Sequence, residues 1–302
     1  MLDGPIAVTG ATGFVGKHLV PALIQRGNPV RALARKARRA DTIEQAGASV
    51  VLGDLLDPLS LERLVGGCAT VIHMAAVADS SNPQLNHDVN VIGSRNLVSA
   101  CQAQGVVRII NISSTCAGRP LRDAYGQSKL EAEAEFTGKG GLVTTHLRPT
   151  MIYGHGSKEF DLFASVAGKL PRVPIPGDGS ALLRPVFLDD FIDLMLRVLD
   201  SEAETDRSFD VAGPETVPVS EFIELLARVQ GSRARALPVP AVAAIAGARL
   251  LGRLKRHPFI NVDQIMAFLQ DTLVDIQPAR NQLLWDPRPL EEGLAELFGD
   301  DP

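Results

Sequence analysis

The residues best placed to move a proton are Tyr125 and Lys129, in the run YGQSK. They stand four apart, so on a helix they share one face. Free tyrosine ionises only near pH ~10 and is a weak base at neutral pH. A neighbouring ammonium favours the phenolate, and each pKa unit moved is worth about 1.4 kcal/mol. A tyrosine tuned in this way can trade a proton with a substrate oxygen while hydride passes to or from a nicotinamide. Upstream, INISSTCAG sets Ser113, Ser114 and Thr115 at the expected end of a strand. A hydroxyl there can hydrogen-bond the reacting oxygen and steady its developing charge. A Ser/Thr cluster alone is ordinary turn chemistry, and a Y-x-x-x-K spacing alone arises by chance. Taken together and in this order, they suit an acid/base, a tuning amine and an oxygen-binding hydroxyl.

Such chemistry needs a bound dinucleotide, and the first loop offers a place for one. VTGATGFVG puts Gly10, Gly13 and Gly16 directly after an apolar run. Glycines there allow a tight turn, close backbone approach to a pyrophosphate and close packing of the next helix, whose N-terminal N–H groups and dipole favour phosphate. The spacing is G-x-x-G-x-x-G rather than the more familiar G-x-G-x-x-G. The second apolar run ends at Ala34 and is followed by Arg35, Lys36, Arg38 and Arg39, with no carboxylate before Asp41. An NAD binder commonly carries an acid at that point for the ribose 2′-hydroxyl. Guanidinium groups suit a 2′-phosphate instead. NADP(H) is therefore the expected cofactor, with NAD(H) as the alternative. Asp54, in GDLLD, is a candidate partner for the adenine amino group.

The elements that must hold these residues follow from apolar patterning. Strands are expected at 5–9, 29–34, 48–52, 70–76, 106–114 and 142–149, and helices at 14–26 and 84–104. The strand runs are β-branched and nearly continuous in apolar residues, as strands buried on both faces should be. Their alternation with helices predicts an α/β fold with a doubly wound parallel sheet. After Met151 the pattern changes, and Pro171, Pro174, Pro176, Gly177 and Gly179 crowd one stretch. A dinucleotide-binding region at 1–168, rejoined by 184–212, is expected. A smaller, mostly helical substrate region would comprise 169–183 and 213–302. Ligands of such sheets bind past the carboxyl ends of the strands.

Composition limits the remaining classes. The chain has 302 residues, of which 45% are hydrophobic and 22% charged, which excludes a disordered polymer. Its net charge of −5 gives no global basic footprint for nucleic acid. Cys68, Cys101 and Cys116 have no paired spacing, so no disulfide framework or metal site is expected. No leader is read at the start, and a cytoplasmic location is the default expectation. The most apolar stretch, Pro238 to Leu254, is short of a membrane span and carries Arg249 and Arg253. It is read as a helix over the substrate region, with peripheral membrane contact as the alternative.

The motif set TGATGFVG, GDLLD, VIHMAA, DVNVIGSRNL, INISST, YGQSKLEAE, LRPTMIYG and RPVFLDDF resembles the short-chain dehydrogenase/reductase superfamily in its extended branch. The resemblance implies a Rossmann domain with a small C-terminal substrate domain. It implies catalysis by Ser114, Tyr125 and Lys129, with Thr115 as the fallback hydroxyl. It places the cofactor against Gly10, Gly13, Phe14, Val15, Gly16, Arg35, Asp54, Leu55, Ala75, Ala76, Tyr125, Lys129, Pro149 and Ile152. Asn90 matches the asparagine of the long helix, and a homodimer through the helices near 84–104 and 124–137 is implied.

Three departures bear on substrate. Ten residues separate Ser114 from Tyr125, where sugar-nucleotide epimerases carry a longer loop. The tyrosine-glycine that often follows the serine pair is reduced to Gly118. The arginine that holds a sugar-nucleotide diphosphate in an R-D-[FY] run is displaced, since LRPVFLDDF puts Arg184 one position late with Pro185 after it. The expected activity is hydride transfer at an alcohol/ketone centre, with nucleotide-sugar epimerisation or dehydration among the reactions it could serve. Two alternatives stand beside it. One is a hydroxysteroid or dihydroflavonol type of ketoreductase. The other is a nucleotide-binding assembly protein with little turnover, resembling the accessory subunit of respiratory complex I. His73, in a buried strand, is expected to be a satisfied core histidine, and His155 is a weaker candidate for substrate contact.

Overall fold

The apolar runs become strands where their side chains meet cover on both faces. In the computed structural model, which describes residues 4–78, 82–202, 205–254 and 262–299, the first half alternates strand and helix. Strand β1 (Ile6–Thr9) leads to α1 (Phe14–Gln25), β2 (Val30–Ala34), α2 (Asp41–Gln45), β3 (Ser49–Leu52), α3 (Pro58–Val65) and β4 (Thr70–His73). Every residue of β1 and of β4 is buried. A long helical stretch follows as α4 (Pro83–Asn86), a π-helical segment (His87–Ile92) and α5 (Gly93–Gln104). Gly105, left-handed at φ 72°, ends it. Then come β5 (Arg108–Ile112), a 3₁₀ turn (Thr115–Gly118), α6 (Ala124–Phe136) and β6 (Val143–Pro149).

The remainder of the chain supplies β7 (Ile152–Tyr153), α7 (Lys158–Lys169), β8 (Arg172–Pro176), β9 (Leu182–Leu183), β10 (Val186–Phe187) and α8 (Leu188–Asp200). After these come β11 (Arg207–Val211), β12 (Val217–Pro218), α9 (Val219–Val229), β13 (Arg235–Val239), α10 (Ala241–Leu254), α11 (Val262–Ala267), α12 (Gln277–Leu283) and α13 (Leu290–Phe298). Two compact units result. The first holds 1–149, 191–211 and 276–285, and the second holds 150–190, 212–275 and 286–302.

The first unit is built on one seven-stranded sheet in the order β3-β2-β1-β4-β5-β6-β11, with every pairing parallel. The order reverses between β1 and β4, which is where a crevice opens in a doubly wound sheet. Leu61 and Leu64 of α3, Leu97 of α5 and Phe136 of α6 are buried together with Ala7, Val71 and Ile109 of the sheet. The expected strand 70–76 stops at His73: the Met74 N–H is shared between the Thr9 carbonyl and the Thr9 hydroxyl, and the Ala75 N–H turns to the hydroxyl.

The second unit carries its own core, in which Tyr153, Phe160, Phe187, Phe222, Leu226 and Leu294 are buried together. It contains three two-stranded pairings, β7 with β10, β9 with β12 and β8 with β13. Arg288 lies over the Phe187 ring, 4.6 Å from its centroid, and its Nε donates to Asp190 at 2.9 Å. Among the described residues no helix is long and apolar enough to cross a membrane.

Candidate active site

The glycine loop folds so closely that side chains have no room. Gly10 adopts φ +74°, and a Cβ there would lie 2.7 Å from the Ala75 nitrogen. A Cβ at Gly16 would meet the Gly10 carbonyl at 2.4 Å. The Gly13 N–H donates to that carbonyl at 2.9 Å and closes the turn. Gly13 is also the N-cap of α1 and provides no side-chain cap. The first N–H groups of that helix are therefore the kind of donor set a pyrophosphate satisfies.

Beside the loop lies a cleft of about 200 Å³. It is lined by Gly10, Thr12 and Gly13 of the loop, by Leu33, Arg35, Arg39, Asp54 and Leu55, and by Met74, Ala75, Ala76, Val77 and Val89. Seven of the residues expected from sequence meet here, namely Gly10, Gly13, Arg35, Asp54, Leu55, Ala75 and Ala76. The glycine cradle fits the pyrophosphate of a dinucleotide, and the Arg35 and Arg39 guanidinium groups line the same cleft. Phe14, Val15 and Gly16 form the first turn of α1 and do not line this cleft. Asp54 Oδ1 accepts the Leu56 N–H at 3.0 Å, so it shapes the turn as well as facing the cleft. Arg39 is a lining residue that motif matching did not single out. Its signal was its place at the end of a short basic turn, Ala37–Arg39, which brings it round beside Arg35.

The residues expected from sequence to move a proton lie close to the carboxyl end of β5. Asp123 caps α6 by accepting the Gly126 N–H at 2.7 Å. A Cβ on Gly126 would come within 2.7 Å of the Cys116 carbonyl, so the start of α6 packs directly on the 3₁₀ turn that follows Ser114. Tyr125 lies in this first turn and is half-buried. One turn on, Lys129 is buried at 3% exposure, and its Nζ donates to the Ile112 carbonyl at 2.7 Å. The Ser114 hydroxyl accepts the Cys116 N–H at 3.2 Å, which uses one acceptor site and leaves its proton for donation. The Thr115 hydroxyl instead gives its proton to the Pro149 carbonyl at 3.3 Å. This difference favours Ser114 over Thr115 as the donor to a substrate oxygen.

Electrostatics single out Lys129. Burial pushes its pKa down to about 8, against a smaller upward pull from Glu133. Burial would lift Glu133, but both its oxygens are hydrogen-bonded to Arg148, at 2.9 and 2.6 Å, and this holds it below the ordinary carboxylate value. Pro149 ends β6 in the first unit, and Ile152 lies in β7 of the second. His155 Nε2 meets the Leu297 carbonyl at 3.0 Å and its ring stands edge-on to Phe298. Arg184 is enclosed by backbone carbonyls: Nε binds Gly213 at 2.8 Å, Nη1 binds Val274 at 2.7 Å and Nη2 binds Pro214 at 3.2 Å.

Comparison with known proteins gives a consistent group. The sequence model of the NAD dependent epimerase/dehydratase family matches residues 6–212. The chain is 26% identical to a 2-alkyl-3-oxoalkanoate reductase of Stenotrophomonas maltophilia, over 97% of this chain and 98% of the relative. It is 29% identical to a UDP-glucose 4-epimerase of Vibrio cholerae, over 96% of this chain and 93% of the relative. Its fold is similar to that of MoeE5, solved with UDP-glucuronic acid and NAD, with a TM-score of 0.78, 24% identity and 98% coverage of both chains.

Proposed function

Because the chain belongs to the NAD dependent epimerase/dehydratase family, within the extended short-chain dehydrogenase/reductase superfamily, we propose that it is an NADP(H)-preferring oxidoreductase that reduces a ketone or oxidises the matching alcohol. The observation that carries this reading is the buried Lys129, anchored on the Ile112 carbonyl one helical turn from Tyr125, at the end of the strand that leads to Ser114. The dinucleotide, when bound, supplies the hydride or takes it away. Gly10 and Gly13 would cradle its pyrophosphate, and Arg35 and Arg39 would meet the 2′-phosphate.

The residues then have separable tasks. Ser114 donates a hydrogen bond to the carbonyl oxygen and steadies the negative charge that grows there as hydride reaches the carbon. Tyr125 gives its phenolic proton to that oxygen, so the carbonyl ends as an alcohol. Lys129, charged below about pH 8, stabilises the phenolate left behind. In the reverse direction the Tyr125 phenolate takes the hydroxyl proton, with Ser114 and Lys129 in the same supporting roles.

Carbonyl reduction is preferred to sugar-nucleotide epimerisation for one structural reason. The arginine nearest the diphosphate-binding motif, Arg184, already spends its guanidinium on three backbone carbonyls. The reductase from Stenotrophomonas supports the same choice, while the Vibrio epimerase keeps the second reading alive. A substrate panel tests it. The chain should oxidise NADPH in the presence of 3-oxo acids or steroid ketones, prefer NADPH to NADH, and lose that preference in Arg35→Asp. UDP-glucose epimerisation without any ketone turnover would overturn the choice of substrate, and equal affinities for the two cofactors would overturn the NADP(H) preference. Binding without turnover on every substrate would favour the assembly-protein alternative.

A further inference from the structure

At the carboxyl end of the sheet Thr9, His73, Asn111 and His146 stand in register on β1, β4, β5 and β6. All four are buried. A chain of hydrogen bonds leaves this row at His73, and its direction can be worked out from both ends. Thr9 Oγ1 accepts the Ala75 N–H at 3.2 Å and shares the Met74 N–H, also at 3.2 Å, with the Thr9 carbonyl. The hydroxyl's own proton therefore goes to His73 Nδ1, 2.7 Å away. At the far end the Ser94 hydroxyl gives its proton to the Asn90 carbonyl at 2.6 Å, so it must accept from His73 Nε2 at 3.4 Å. Both ends require the same neutral tautomer, with the proton on Nε2. Burial, helped by the charge of Lys129, lowers the His73 pKa to about 3 and so keeps the ring neutral, while its two hydroxyl partners select the tautomer.

The chain continues through Asn90. Its Oδ1 accepts the Val77 N–H at 2.8 Å, and its Nδ2 donates to the Val77 carbonyl and to Ser128 Oγ, each at 2.9 Å. Ser128 donates onward to the Tyr125 carbonyl at 2.8 Å. Thr9 precedes the glycine loop, Met74 to Val77 line the cleft, and Tyr125 and Lys129 lie on α6. We propose that His73 is a positioning residue whose ring, accepting from Thr9 and donating to Ser94, couples the dinucleotide cradle to the helix that carries Tyr125 and Lys129. The role rests on the oxidoreductase reading given above. A residue needed only to fill space could be aliphatic. This one spans two hydroxyls with opposite hydrogen-bond polarity, which an aliphatic side chain cannot do.

The test compares His73→Leu, His73→Gln and Ser94→Ala with the unaltered protein, each confirmed as folded by circular dichroism. Loss of a buried hydrogen bond between partners predicts that His73→Leu raises the NADPH Kd and lowers kcat by at least about tenfold each. His73→Gln, which can accept and donate, should recover most of both. Ser94→Ala cuts the link beyond the cradle, so it should lower kcat while leaving the NADPH Kd within about twofold. Should His73→Leu fail to fold, the split between Kd and kcat in Ser94→Ala carries the test. A ¹⁵N spectrum of the labelled ring in the protein without cofactor should show the proton on Nε2. The proposal is overturned by a folded His73→Leu with unchanged Kd and kcat, by His73→Gln recovering neither, by an unchanged kcat in Ser94→Ala, or by a ring protonated on Nδ1. An unaltered protein that binds neither NADPH nor NADH would instead overturn the oxidoreductase reading, and the ring spectrum would still report on the relay.

Discussion

Lys129 sits where an amine is costly to keep charged. The folded chain holds its proton only up to about pH 8, whereas the unfolded chain holds it to the ordinary 10.5. Between those values the unfolded state binds more protons, so stability rises with pH across that window. Below it both states are charged, and the fold bears the full difference, on the order of 3 kcal/mol. Lys129→Met removes this burden. At pH 7 the variant should resist urea better than the parent by up to about 3 kcal/mol, and the advantage should shrink as pH climbs past about 8. Turnover should be lost throughout. Urea titrations at neutral and alkaline pH check this, and a variant less stable at pH 7 would contradict it. A charge kept at the expense of stability fits the role proposed above for Lys129.

At the scale of elements, ends and turns show where local preference yields to partners. Leu284, at the C-terminal end of α12, adopts the left-handed conformation at φ 50° with 79% exposure. Its carbonyl accepts from Arg197 at 2.7 Å, a bond that does not depend on the side chain. Leu284→Gly should stabilise the protein by about 0.5–1 kcal/mol, read as a higher thermal midpoint. A lower midpoint would show that the leucine side chain packs favourably there. The sheet strands were legible because strands covered on both faces must be apolar, and Ile6–Thr9 and Val30–Ala34 fall within the expected spans. The early end of β4 was not legible, since it depends on a hydroxyl 64 residues earlier in the chain. Nor was the π-helical stretch His87–Ile92, which holds Asn90 against the Val77 backbone and the Ser128 hydroxyl that fill its amide. The run from Arg184 reads as one helix, yet Val186–Phe187 first pair with β7 and the helix begins at Leu188.

At the scale of the whole molecule, the parts of the site written as short motifs were legible. Gly10, Gly13, Tyr125 and Lys129 belong to motifs within a single loop or helix turn, and their spacing carries their geometry. Arg39 was legible as one member of a basic run, whereas Val77 and the relay through His73 were not legible. Each takes its meaning from elements far apart in the chain, brought together only by the order β2-β1-β4-β5 of the sheet. The expected hydroxyl pair was legible as a pair, but the choice between them needed the Thr115 bond to Pro149. The account finally rests on Tyr125 passing a proton to an oxygen while hydride moves. Single-turnover mixing of enzyme, NADPH and a ketone substrate identified by the panel, followed by nicotinamide absorbance, tests this directly. The unaltered protein should consume one NADPH per site, and Tyr125→Phe should do so slower by about 10²–10⁴-fold with NADPH affinity unchanged. An equal rate in the two proteins would contradict the account.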